Sequence, residues 1–106
     1  RGSAAAPAEP ALSAGERQSL MSRWGARIMS RVERARPRVR GSGQVVLRLR
    51  VARDGRLTGL SVARSSGDAA LDGAALAAVR RAGRFPAAPA GLAEARYGFS
   101  LPIRFR

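Results

Sequence analysis

Residues 44–64 read QVVLRLRVARDGRLTGLSVAR, two runs of alternating apolar residues joined by an Asp-Gly pair. Val45, Leu47, Leu49 and Val51 fall on one side of a period-two pattern, with Gln44, Arg48 and Arg50 on the other. Side chains along a strand point alternately to its two faces, so the pattern predicts a strand buried on one side. Arg53-Asp54-Gly55-Arg56 supplies an Asp-Gly turn, a strong short-range hairpin signal. A second strand over Leu57 to Arg64 follows, with Leu60 and Val62 as its expected inward pair. The two pair antiparallel.

Upstream, Gly41-Ser42-Gly43 is a flexible connection to a helix expected from about Gly15 to Arg36. Leu20, Trp24, Ile28 and Val32 recur every four residues, flanked by Met21 and Met29, while Arg23, Arg27, Arg31 and Arg34 take the other faces. Ser13 and Glu16 have the spacing of a capping box, and Pro37 ends the helix by pushing the residue before it out of the α region. Residues 1–14, RGSAAAPAEPALSA, hold too few large apolar groups to offset the entropy of ordering, and read as the end of a flexible Ala/Pro-rich linker.

Downstream, Ser65-Ser66-Gly67 is a turn, and Asp68 caps a second helix whose stripe is Leu71, Ala74, Ala75, Ala78, Val79 and Ala82. Small side chains let that helix sit close to a sheet, and Gly83 stops it. Asp72 lies in the first helical turn, where an acid suits the helix dipole. Phe85-Pro86-Ala87-Ala88-Pro89 is a stiff connection. In the last segment Tyr97, Phe99, Leu101, Ile103 and Phe105 point one way and Pro102 the other. A proline cannot donate to a ladder on its own side, so this third strand is an edge strand.

The expected class is α+β, in the order α-β-β-α-β. Two helices cover one face of a three-stranded antiparallel or mixed sheet. A right-handed crossover through the second helix sets strands two and three parallel to each other and leaves room for strand one between them. The sheet order is then two, one, three.

Composition narrows the chemistry. Histidine and cysteine are both absent, so zinc sites, Ser-His-Asp triads and Cys-His dyads have no parts. Without a histidine or lysine nothing activates Ser65 or Ser66 as a nucleophile. The residues name no catalytic group, cofactor or metal. The formal charge is +13, and all 20 basic residues are arginine. Such a field draws a domain towards nucleic acid, anionic lipid or an acidic partner, although the absence of lysine also fits a GC-rich genome's amino-acid bias.

From Gly43 onward the chain resembles the TonB C-terminal domain family. The resemblance rests on Gly43-Gln44-Val45, Asp54-Gly55-Arg56, Ser65-Ser66-Gly67, Leu71-Asp72 with Ala74-Ala75-Leu76, Phe85-Pro86 and Leu101-Pro102-Ile103-Arg104-Phe105. Arg36-Pro37 stands where the family often has Tyr-Pro, so the tyrosine's role in partner contact does not carry over. The resemblance implies that residues 15–106 form a periplasmic domain, joined by its linker to an N-terminal inner-membrane helix and motor complex. It further implies docking on the TonB box and plug of outer-membrane transporters for iron chelates, haem or cobalamin.

Strand addition is the expected mechanism, in which an extended peptide pairs with an open sheet edge. The expected edge is Arg96, Tyr97, Gly98, Phe99, Ser100, Leu101, Pro102, Ile103 and Arg104. The same edge offers a place for a homodimer. Arg48 and Arg50, joined by Arg64, Arg104 and Arg106, are expected on a basic outer face. One rival is a nucleic-acid-binding module, but its sheet would display stacking aromatics, and here Tyr97, Phe99 and Phe105 face inward. The other is a TolA-like periplasmic tether with the same architecture and different partners.

Overall fold

The computed structural model describes residues 12–106. Most of the segment read as linker, residues 1–11, lies outside the described residues. The elements are α1 (Ala14–Ala35), β1 (Gly43–Ala52), β2 (Leu57–Arg64), α2 (Ala69–Ala82) and β3 (Arg96–Phe105). β1 is the central strand, and both β2 and β3 pair with it antiparallel, giving the order β2-β1-β3. Class, element order and sheet order are as the sequence reading expects.

The local causes are visible at each boundary. Ser13 Oγ accepts from the Glu16 amide at 3.0 Å, and Glu16 returns a carboxylate oxygen to the Ser13 amide at 2.8 Å. That reciprocal box starts α1 at Ala14. At the far end Arg36 is extended, at φ −67° and ψ 125°, as the following proline requires. Between them Trp24, Ile28 and Val32 are buried, with Leu20, Met21 and Met29 packed partly against the core. α2 starts where Asp68 accepts from the Ala70 amide, and it presents Leu71, Ala74, Ala75, Ala78 and Val79 to the core. Its end is Gly83, at φ 65°.

Val45, Leu47, Leu49 and Val51 on β1 are wholly buried beneath the helices, and Leu101, Ile103 and Phe105 of β3 lie beside them. On β2 the inward pair needs correction. By register Leu60 faces Leu49 and Val62 faces Leu47, so both lie on the helix side. Leu60 and Leu57 pack against the core, but Val62 stays 36% exposed. The helical cover does not reach that end of the outer strand, a tertiary matter that alternation cannot register.

The hairpin tip is built around Gly55. The Gly55 amide donates to the Ala52 carbonyl at 2.8 Å, and Gly55 itself has φ 97°, a turn ending in a left-handed residue. Its carbonyl accepts from the Phe85 amide at 3.0 Å, and a Cβ on Gly55 would stand 2.1 Å from the Phe85 carbonyl oxygen. The stiff connection is therefore clamped against the tip, with Phe85 buried in the core. Gly55→Ala is expected to cost about 2–3 kcal/mol, from the left-handed backbone and the displaced Phe85 bond, read as a lower urea midpoint with an unchanged m-value.

Asp72 does more than complement the α2 dipole. Its carboxylate accepts from the Ser65 hydroxyl, from the Ser66 amide at 2.9 Å and from the Ser66 hydroxyl at 2.8 Å, tying the end of β2 to α2. The Ser65 hydroxyl, then the Ser66 amide and hydroxyl, hold its pKa below the ordinary 3.8. A depressed carboxylate contributes stability that is complete above the unfolded value and fades as pH falls through the folded one. Asp72→Asn is expected to melt at a lower temperature than the parent at pH 7. The gap should begin to close below about pH 3.8 and vanish once the folded-state carboxyl is also protonated.

Candidate binding edge and its similarity to known proteins

The candidate edge is the outer border of β3. Its ladder with β1 runs without a register break from Gly43 opposite Phe105 to Ala52 opposite Arg96. Just beyond it, the Arg53 amide donates to the Ala95 carbonyl at 2.9 Å. Antiparallel pairs alternate between bonded and non-bonded, so this contact fixes which residues of β3 face β1. Tyr97, Phe99, Leu101, Ile103 and Phe105 bond to β1, whereas Arg96, Gly98, Ser100, Pro102 and Arg104 turn their backbone groups outward. Pro102 occupies an outward site, where its missing N–H leaves the ladder intact.

Among the described residues, no backbone group of the protein pairs with that outward row. One side chain does: the Arg36 guanidinium donates to the Arg104 carbonyl. The same guanidinium carbon lies 5.3 Å from the centre of the Phe105 ring. The arginine in the Tyr-Pro position thus clasps the C-terminal end of β3. Among the described residues, the outward carbonyls from Arg96 to Pro102, and the amides of Gly98, Ser100 and Arg104, have no partner.

Beneath the edge, Trp24 anchors the strand. Its ring meets Tyr97 edge-on at 5.6 Å and Phe99 edge-on at 5.1 Å. Trp24 Nε1 donates to the Pro86 carbonyl at 2.8 Å, and the Tyr97 hydroxyl accepts from the Glu94 amide at 2.8 Å. Tyr97 and Phe99 are half-buried, whereas Leu101 and Ile103 are fully inside. The first half of the strand therefore presents an apolar ledge beside its free backbone.

The sheet face away from the helices carries Gln44, Val46, Arg48 and Arg50 on β1, with Arg64 on β2 and Arg96 and Arg104 on β3. Arg48 stands opposite Ser100 and Arg50 opposite Gly98, so the two groups of candidate residues adjoin. All of these arginines are exposed. Arg106 follows the last strand residue. Among the described residues, no cluster of His, Cys, Asp or Glu has the arrangement of a metal site, and no helix is long and apolar enough to cross a membrane.

A small α+β domain with a basic outer face and a proline-marked sheet edge, unpaired among the described residues, has the form of an interaction module. Residues 33–106 match the family model described as Gram-negative bacterial TonB protein C-terminal, and the chain belongs to that family. It is a periplasmic TonB-like module, from a family devoted to interaction and energy transduction rather than catalysis. Its fold is similar to the solution structure of the Helicobacter pylori TonB C-terminal domain, with 21% identity, a TM-score of 0.66, and 91% of this chain and 95% of that one covered. It is also similar to TolAIII bound to a peptide derived from the N-terminus of TolB, at 25% identity and a TM-score of 0.56, covering 92% and 82%. The HasB C-terminal domain matches at 27% identity and a TM-score of 0.55, covering 77% and 68%. No curated protein matches the chain in sequence.

Proposed function

We propose that this domain docks on a short extended segment of outer-membrane transporters, the TonB box, by adding it as a fourth strand along β3. The docking residues are Arg96 to Arg104, with Gly98, Ser100 and Pro102 on the outer face and Tyr97, Phe99, Leu101 and Ile103 beneath. The observation that carries this reading is the row of outward backbone groups from Arg96 to Pro102, unpartnered among the described residues. Main-chain hydrogen bonds then supply affinity, and the Tyr97–Phe99 ledge supplies an apolar contact for alternate side chains of the visitor. The likeness to TolAIII, a domain whose structure holds a bound peptide, supports peptide capture as the mode of action.

In the whole protein a linker precedes the docking domain, residues 15–106 together with the Ser13 cap and Ala14 that start its first helix. An N-terminal inner-membrane helix joins the linker to a proton-driven motor complex. Load applied along the docked strand is shared among its hydrogen bonds, so modest affinity coexists with mechanical strength. The transported nutrients are iron chelates, haem or cobalamin. Homodimers through the same edge compete with docking.

Titration of the ¹⁵N-labelled domain with a peptide from a transporter's periplasmic N-terminus tests this reading. Shift changes should cluster between Tyr97 and Arg104. Changes confined to α2 or to the β2 edge would refute it.

A further inference from the structure

Among the described residues, every acid lies off the sheet. Glu16 sits in the α1 capping box, Glu33 pairs with Arg36, Asp54 with Arg56, Asp68 and Asp72 are at the start of α2, and Glu94 lies in the connection before β3. No strand carries a carboxylate, and among the described residues no ion pair involves the arginines of the outer face. The register arranges them around one track. A strand added to β3 aligns its outward residues with Arg96, Gly98, Ser100, Pro102 and Arg104. Gly98 has no side chain and Ser100 a short one, and the positions behind them on β1 are Arg50 and Arg48. The added strand lies two strand spacings, about 10 Å, from β1. An extended guanidinium stem and a facing carboxylate side chain together span that gap. The space is open: a Cβ on Gly98 would meet only the Leu49 carbonyl, at 3.9 Å. Arg50 currently lies over Gly59, which would bring a Cβ there within 3.3 Å of the Arg50 Cβ, but an exposed side chain changes rotamer in picoseconds to nanoseconds.

From this arrangement we infer that the docked segment carries acidic residues at the alternate positions opposite Gly98 and Ser100, read by Arg50 and Arg48 across the intervening strand. The inference rests on the strand-addition reading above. Positions facing Arg96 and Arg104 also favour acids, by direct cross-strand pairing. The position opposite Pro102 is backed by Val46 and stays neutral. The positions between them, over Tyr97 and Phe99, are apolar.

The test compares two nine-residue peptides, alternating valine with glutamate in one and with glutamine in the other. Each is titrated into the ¹⁵N-labelled 106-residue chain and its Arg48→Gln/Arg50→Gln variant at low salt, reading the Gly98, Ser100 and Arg104 amides. The glutamate peptide should bind the parent more tightly by at least about ten-fold, roughly three-fold for each of the two pairs with Arg48 and Arg50, with any pairing to Arg96 and Arg104 added. That preference should fall about ten-fold in the variant, to the part contributed by Arg96 and Arg104, while affinity for the glutamine peptide is unchanged. Equal binding of both peptides at these amides overturns the inference and leaves strand addition standing. A preference that survives undiminished in the variant also overturns it, assigning selectivity to Arg96, Arg104 and the general positive field. If neither peptide moves the three amides, strand addition fails and the inference with it.

Discussion

Trp24→Ala is expected to lower the unfolding free energy by about 3–5 kcal/mol, the range for removing a large buried aromatic. Trp24 is 1% exposed and bonds three separate parts of the domain: the inward side of β3 through Tyr97 and Phe99, the Pro86 carbonyl, and its own helix stripe. Alanine leaves a cavity where the two edge-on contacts were, each contributing about 0.5–1.5 kcal/mol beyond the area buried. It also leaves the Pro86 carbonyl without its donor. A domain of this size has only about 5–15 kcal/mol in total, so the variant should be marginal at 37 °C. Trp24→Phe narrows the comparison, because much of the ring packing survives while the indole donor and part of the ring volume are lost. It should cost about 1–3 kcal/mol, from the lost hydrogen bond to a partly buried carbonyl and the smaller ring's unfilled volume. Urea denaturation followed by circular dichroism measures both. A loss below about 1 kcal/mol for the alanine variant would show that Trp24 is not the strut of β3.

The second large effect falls on binding rather than stability. Ser100→Pro is expected to weaken peptide docking at least ten-fold while the domain stays folded. Ser100 shares the outward parity of Pro102, so its amide plays no part in the ladder with β1. The pyrrolidine ring removes one donor from the edge and projects into the space a visiting strand must occupy. One lost hydrogen bond is about 0.5–1.5 kcal/mol, and the steric exclusion adds to it. Phe99, the residue before it, is already in the extended conformation a proline demands. Ser100→Ala keeps the amide and should bind as the parent does. Isothermal titration calorimetry with the transporter peptide, beside thermal melts of both variants, separates loss of docking from loss of fold.

The sequence revealed the elements more completely than their contacts. The alternation of Val45, Leu47, Leu49 and Val51, the Ser13–Glu16 box and the Asp68 and Gly83 caps are local signals, and each marks what the structure contains there. Pro102 exposed the edge because a missing amide is written in the residue itself. What stayed hidden depends on long separation. The Arg36 contact with Arg104 joins residues 68 positions apart, and the Trp24 bond to Pro86 spans 62. Phe85 enters the core only because the Gly55 tip accepts its amide, a pairing that no periodicity records. Val62 failed for the converse reason: its pattern was right, but the helices end short of it. Asp72 was legible as a first-turn acid but not as the acceptor of the Ser65-Ser66 turn, since an aspartate there serves either purpose.

Amide hydrogen exchange, compared residue by residue between the free domain and its complex with an extended transporter peptide, bears most directly on docking at β3. Gly98, Ser100 and Arg104 should exchange fast when free and slow sharply when bound, while Phe99, Leu101 and Ile103, already held by β1, change little. Saturated binding that leaves those three even-numbered amides unprotected would contradict strand addition outright.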